Sequence, residues 1–363
     1  MRKFLLFGTI VLLLAIVGNV FADISFHGDA RVRPRLDQKF SNGDKTYQDL
    51  YYLYWIRFWA RADLTDGWYA VGKLATDGPG DFIGVFGKEN PGSANPTGNY
   101  TVQDNWDRNS ANGVVRFGQA YFGKDGKKAG FSMGLLPFDP LAHPELDFHF
   151  FPGSSSDIPF NILAQTSATG FRGYYKTANG QLNTTVTVDD NNGYWDGDPT
   201  TDDPKDQYSV LMDFDANAGD FKIQPTLLKT FGSDMMPSPL TFGVNGALPK
   251  IGNANFTGGA YFTTQKADST SKYDGFFIHA KTVFPAGPGT VVAWADYSSL
   301  KYDMLSDRLN SLYVWLMYKI VVYKSELGNF SINPTYRIIS QKQGDLYDYS
   351  RNKIEVTLHL TFK

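Results

Sequence analysis

The chain closes on Lys353-Ile354-Glu355-Val356-Thr357-Leu358-His359-Leu360-Thr361-Phe362-Lys363, a stretch that sorts its side chains by parity. Ile354, Val356, Leu358, Leu360 and Phe362 share one side, and Lys353, Glu355, Thr357, His359 and Thr361 share the other. A period of two puts successive side chains on opposite faces of a β-strand, whereas a helical period of 3.6 would scatter both sets around the axis. The stretch predicts a strand with one face in apolar surroundings and the other against water.

The same alternation recurs towards the N-terminus. Residues 24–36 set Ile24, Phe26, Gly28, Ala30, Val32 and Pro34 against Ser25, His27, Asp29, Arg31, Arg33 and Arg35. Residues 50–64 set Tyr52, Tyr54, Ile56, Phe58, Ala60 and Ala62 against Arg57, Trp59, Arg61 and Asp63. Further strands are predicted at 68–76, 113–123, 129–136, 170–176, 182–188, 208–216, 221–230 and 240–248. The last six are predicted at 254–264, 273–284, 290–298, 310–323, 330–339 and 352–362. Turn residues bound them, among them Thr65-Asp66-Gly67, Lys124-Asp125-Gly126 and Ala178-Asn179-Gly180. In 113–123 the parity of Val115 and Phe117 conflicts with that of Ala120 and Phe122, so a bulge is expected near Gly118.

Connections alternate in length. Tight links such as 217–220 and 285–289 take turns with long ones such as 77–112, 137–169 and 189–207. An up-and-down transmembrane barrel with short periplasmic turns and long outer loops produces this rhythm. The expected fold is all-β: an antiparallel barrel of about sixteen strands, with both termini on the periplasmic side. Closure should pair the first strand with the last. His27 and His359 should then both face the lumen near the periplasmic rim, within about two residues of register.

The N-terminus reads as an export signal at residues 1–22. Arg2 and Lys3 precede an apolar run from Phe4 to Val17, and Val20-Phe21-Ala22 offers a small-residue cleavage site. The run is shorter than the ~20 residues a membrane-spanning helix needs. Residues 23–363 would form the barrel. Aromatics make up 15% of the chain and glycines number 36, as a wall with aromatic interfacial girdles requires. Cysteine is absent, which excludes disulfide and thiol chemistry. The net charge is −3, no footprint for nucleic acid.

Several motifs resemble a known family. Phe26-His27-Gly28-Asp29-Ala30-Arg31-Val32-Arg33 is similar to the opening Gly-Asp-x-Arg-x-Arg strand of the putative porin family of Gram-negative outer membranes. Arg57 to Arg61, with Ala62-Asp63-Leu64 and Asp66-Gly67-Trp68, resembles their second hairpin. Gln119-Ala120-Tyr121-Phe122 resembles their Arg-Ala-Tyr-Leu strand, and Leu135-Leu136-Pro137-Phe138-Asp139-Pro140 their Gly-x-x-Pro-Phe-x strand end. The resemblance departs at Gln119 and Leu136, where basic residues are usual, and at Lys363, which follows the terminal aromatic. It implies a water-filled lumen in the outer membrane of a Gram-negative bacterium, and a homotrimer as the usual assembly.

The residues that could carry function are pore-lining ones. Arg31, Arg33, Arg35, Arg57, Arg61 and Lys73 point inward on three neighbouring strands, and closure adds Lys319, Arg337 and Lys353. They form either a cationic wall that favours anions or a neutral lattice with Asp29, Asp63 and Glu355. The connection after residue 136 carries His143, Glu145, Asp147 and His149 at every second position, alternating with Pro144, Leu146, Phe148 and Phe150. An inward constriction loop is the expectation there, as in general diffusion porins; ligands splayed along one strand suit a metal poorly. The Asp-rich segment 189–206 reads as a solvated outer loop and lacks EF-hand spacing. No cofactor is called for. Tyr51, Trp55 and Trp59 are inward aromatics, suited to a girdle or a sugar slide. Phosphate-loop, Ser-x-x-Lys and paired-carboxylate signatures of enzymes are missing from the sequence. The expectation is an outer-membrane porin for passive passage of small hydrophilic solutes, anions among them. Alternatives are a channel selective for an anion or oligosaccharide, a non-conducting structural barrel, and an outer-membrane hydrolase.

Overall fold

A computed structural model describes residues 23–75, 84–86, 116–137, 167–190, 207–232, 238–265, 272–345 and 347–363. Residues 1–22, expected to direct export, the 143–150 segment and residues 191–206 of the Asp-rich loop lie outside the described residues. The strands are β1 (Asp23–Ser41), β2 (Asp44–Asp63), β3 (Trp68–Ala75), β4 (Gly84–Phe86), β5 (Arg116–Lys124) and β6 (Ala129–Pro137). They continue as β7 (Ser167–Lys176), β8 (Gly180–Asp190), β9 (Gln207–Ala218), β10 (Phe221–Gly232), β11 (Leu240–Ala247) and β12 (Asn255–Gln265). The last are β13 (Tyr273–Ala286), β14 (Gly289–Tyr302), β15 (Leu309–Lys324), β16 (Gly328–Gln343) and β17 (Tyr347–Phe362).

Every neighbouring pair is antiparallel, and β1 pairs with both β2 and β17, so the sheet closes on itself. Short β4 pairs with β2 at Tyr52 to Tyr54, beyond the Arg57 to Asp63 stretch that pairs with β3. β3 and β4 thus share one place in the wall, and the barrel has sixteen strand positions. Closure leaves the sheet without a first or last strand, the condition for crossing hydrocarbon with strands.

Side-chain parity follows the sequence pattern. Phe26 and Ile56 remain about half exposed, at 51% and 52%, and Val32, Phe58, Val356, Leu358 and Leu360 share their outward face. Inward neighbours such as Arg33, Arg35, Glu355 and Thr357 are buried. A one-residue slip would move the arginines into hydrocarbon at ~2–4 kcal/mol each near the midplane. The bulge expected near Gly118 is present: Lys73 faces Gln119 while Leu74 faces Phe117, which leaves Gly118 as the extra residue.

Two expectations are corrected. The first two predicted strands, 24–36 and 50–64, are too short, because β1 runs to Ser41 and β2 starts at Asp44. Asn42 (φ 50°) and Gly43 (φ 85°) turn the chain between them, and positive φ at both positions matches the twist of a two-residue hairpin. The histidines are also further apart than two residues of register. His359 lies opposite Arg31, because Phe362 already pairs with Gly28 and residues 23–27 extend past the end of β17. These residues are held by β2 alone, from Asp23 opposite Asp63 to His27 opposite Trp59.

The walls differ in height. β1 and β2 span 19 and 20 residues and β15 to β17 span 16 each, while β5 and β6 span 9 each. The closure seam runs through the tall part. At that seam Gly28 leaves room for the terminal aromatic: a Cβ there would collide with the Phe362 ring and with the Arg57 carbonyl. Gly28→Val should therefore destabilise the closed barrel by about 1–3 kcal/mol, read as a lower urea midpoint. An unchanged midpoint would show that Phe362 does not seal the seam.

Candidate functional site: the inner wall

The inward row of β1 reads Asp29, Arg31, Arg33, Arg35, Asp37, Lys39, since the odd positions of that strand face the lumen. Pairing brings β17 alongside, with His359 opposite Arg31, Glu355 opposite Arg35 and Lys353 opposite Asp37. β16 follows, with Arg337 opposite Lys353. β2 places Arg57 opposite Asp29, and β3 places Lys73 opposite Trp59. Side chains far apart in the chain thus form one charged surface.

Three carboxylates organise it. Arg57 grips Asp29 with two parallel bonds of 2.7 Å, while Arg31 lies 3.2 Å and His359 3.1 Å from the same carboxylate. Arg35 Nε donates to Glu355 Oε2 at 2.7 Å, Arg33 Nε lies 3.8 Å from Oε1, and Arg337 pairs with that oxygen too. Arg33 Nε also donates to Thr357 Oγ1 at 2.7 Å. Arg351 holds both oxygens of Asp37, its Nε at 2.7 Å from Oδ1. Forked guanidinium–carboxylate bonds of this kind fix direction as well as charge. The lattice is nonetheless unbalanced. Nine basic side chains (Arg31, Arg33, Arg35, Lys39, Arg57, Lys73, Arg337, Arg351, Lys353) face four carboxylates (Asp29, Asp37, Asp49, Glu355) among the described residues of this sector, so bases outnumber acids by five.

The pore-lining candidates separate by access. Arg33, Lys73, Arg337, Lys353 and Glu355 point inward but are almost wholly shielded from water. Arg31 and Arg57 keep 14% and 16% of their side chains exposed. Arg61 is more open, pairs with Asp63 at 2.8 Å and Asp125 at 3.6 Å, and lies over the Tyr69 ring near the end of the barrel where β1 begins. The shielded group is fixed in place by its partners, and the open group keeps access to water. Of the resemblance's two departures, Gln119 faces Lys73 across the β3–β5 pair, and Leu136 is buried on the inward side of β6. His143, Glu145, Asp147 and His149 lie outside the described residues.

Two further sectors went unread in the sequence. Tyr261, Phe277, His279, Trp294, Tyr313 and Trp315 form an inward aromatic strip on β12 to β15, all buried. His279 stacks on Phe277 and Trp294, with centroids 5.8 and 5.4 Å apart. Arg337 caps Trp315 at 4.1 Å, joining the aromatic strip to the charged sector. Beyond it, β8 to β12 carry Thr185, Thr187, Ser209, Thr230, Thr241 and Thr263 inward. Cross-strand hydroxyl bonds link Ser209 to Thr230 at 2.7 Å and Thr241 to Thr263 at 2.9 Å. The parity of each strand, once assigned, would have revealed both sectors. Trp59, whose role the sequence left open, stacks with His27 at 4.9 Å and lies under Arg57 at 4.8 Å and Lys73 at 5.2 Å.

No family model and no curated protein matches the sequence. Solved structures match over nearly the whole chain. The outer membrane channel DcaP of Acinetobacter baumannii superposes with a TM-score of 0.59 at 12% identity, covering 95% of this chain and 98% of its own. The anion-selective porin of Comamonas acidovorans gives 0.56 at 12% identity, covering 94% and 100%. Outer-membrane-expressed OmpT of Vibrio cholerae gives 0.57 at 11% identity, covering 93% and 98%. The chain is a porin-like β-barrel. At such low identity the likeness is one of fold, so the inner wall has to be read from its own residues.

In this barrel Glu355 is the common counter-charge of Arg33, Arg35 and Arg337. Glu355→Gln removes it and leaves three shielded guanidinium groups without their carboxylate, a loss of about 3–5 kcal/mol. The urea midpoint should fall accordingly, with the far-ultraviolet strand signal unchanged before unfolding. A midpoint within error of the parent would mean the cations are balanced elsewhere.

Proposed function

We propose that the protein is an outer-membrane porin that passes small hydrophilic solutes passively and prefers anions. The observation that carries this reading is the excess of five basic over acidic side chains on one sector of the inner wall. Fixed cations in a low-dielectric wall raise the local anion concentration and the barrier for cations. Arg31 and Arg57, still partly open, offer replaceable contacts to a passing anion. The shielded Arg33, Arg35, Arg337 and Lys353 supply a field that no mobile counter-ion can approach closely enough to cancel.

The apolar exterior supports placement in lipid, since leaving those side chains in water would forfeit about 1.5–3 kcal/mol for each large one. Export through residues 1–22 and a trimeric assembly belong to the same proposal, the latter because a neighbouring fold, OmpT of Vibrio cholerae, is recorded in a trimer form. The proposal includes no enzymatic step. His27 is stacked on Trp59, His359 is tied to Asp29 and His279 lies among aromatic rings, positions that suit packing better than proton transfer. The aromatic strip beside Arg337 favours one narrower reading, a channel that selects anions carrying a flat or apolar part.

Planar-bilayer recording across a potassium chloride gradient tests this. Stepwise currents with a reversal potential on the chloride side are expected. Arg57→Gln together with Arg31→Gln should move the reversal potential towards zero while single-channel conductance stays within about twofold. A cation-side reversal potential in the parent would refute anion preference, and the absence of steps would point to a plugged structural barrel.

A further inference from the structure

The periplasmic end of β15 departs from alternation. Val321 faces Ser331, but Tyr323 faces Phe330 and Lys324 faces Asn329, so Val322 is an inserted residue. Lys319 and Lys324 are five positions apart and would lie on opposite faces of a regular strand. The inserted residue restores the parity and turns both towards the lumen, the re-aiming of a side chain that bulges provide.

A cavity of about 250 Å³ lies where they converge, lined by Lys319, Lys324, Asn329, Ser331, His359 and Thr361, with Val321 as its one apolar side chain. No lining residue is acidic. β16 and β17 complete the floor, with Ser331 opposite His359 and Asn329 opposite Thr361. The lining His359 meets a carboxylate, its Nε2 lying 3.1 Å from Asp29 Oδ2, and Asp29 is already matched by Arg57 at 2.7 Å and Arg31 at 3.2 Å. Asn329 Oδ1 is shielded from water and accepts no hydrogen bond among the described residues. An amide in that state can take an ammonium on its oxygen or, turned over, offer its NH₂ group to an anion. Two ammonium groups, two hydroxyls, an amide and an imidazole are the donor set of an oxyanion site.

We propose that this cavity binds the phosphate group of a small free solute at the periplasmic mouth of the barrel. The lysines contribute point charges on flexible stems, which suits a site that must release its ligand, where forked arginines would hold it. The volume is about eight times the ~30 Å³ share of a water molecule, room for a phosphate with part of its hydration shell or of its ester group. The inference concerns binding and does not depend on whether the barrel conducts.

The test is equilibrium dialysis of radiolabelled inorganic phosphate against the full chain, folded in an uncharged detergent. The parent should bind about one phosphate per chain saturably. Lys319→Gln combined with Lys324→Gln should weaken binding at least tenfold, and deletion of Val322, which turns Lys324 outward, should approach the same loss. Lys324→Arg should bind at least as tightly as the parent, and the exposed-turn control Lys250→Gln should stay within about threefold of it. Should the deletion fail to fold, the paired lysine substitutions and the arginine variant decide the matter alone. No saturable binding, or equal binding by the paired variant, overturns the proposal. Displacement by micellar phosphatidylglycerol but not by glycerol 3-phosphate would assign the cavity to a lipid headgroup and overturn it too.

Discussion

Closure of the backbone hydrogen-bond ladder between β1 and β17 is the constraint on which everything else rests. A strand with an open edge in hydrocarbon leaves a row of unpaired N–H and C=O groups, each costing several kcal/mol. The pairing of Gly28 with Phe362 at one end and Ser41 with Tyr349 at the other removes that edge along the whole seam. The exterior then needs only to be apolar and the interior only to be polar, and a side-chain period of two supplies both at once. The seam also decides which charges meet, because Arg35 and Glu355 become neighbours only when the first and last strands do.

Within that frame the inner wall is a problem of charge placed at low dielectric. Isolated cations there would be prohibitive, and four carboxylates among nine basic side chains do not neutralise them. The arrangement works because each carboxylate is shared. Glu355 serves Arg33, Arg35 and Arg337, and Asp29 serves Arg31, Arg57 and His359. Aromatic faces take part of the remaining load, with Trp59 under Arg57 and Lys73, and Trp315 under Arg337. Such a wall is rigid in position yet positive in sum. Both properties are needed if a field is to act on solutes without collapsing onto its own counter-charges.

Much of this was legible in the residues themselves. The alternation in Lys353 to Lys363 and in residues 24–36 announced the strands, their lumen faces and the meeting of first with last. What stayed hidden depends on register, which a single strand cannot report. Arg33 and Glu355 were both readable as inward, but their contact follows from where β17 stops against β1. The turn at Asn42-Gly43 lies beyond both predicted strands because charged Asp37, Lys39, Asp44 and Lys45 obscure where the alternation ends. In a barrel those side chains can line the interior, as Asp37 and Lys39 do. The aromatic strip was missed for a different reason: Trp294, Tyr313 and Trp315 look like membrane-facing girdle residues until their parity is tied to that of Asp296 and Ser311.

Bulges mark the places where parity alone misleads, and each sits where a side chain must be re-aimed or a strand must bend. Gly118 is inserted just before Gln119, which consequently faces Lys73, and a side chain at 118 would have no partner across the pair. The shift at Lys39 and Phe40 lets the tall first hairpin tighten into its two-residue turn. Val322 brings Lys324 onto the face that Lys319 already occupies. In each case one extra residue changes the face of everything beyond it while the backbone ladder resumes, so the stability of the wall is barely touched. A barrel can thus hold its middle strictly alternating, as lipid demands, and alter what it presents to solutes at the ends, where water satisfies the interrupted ladder.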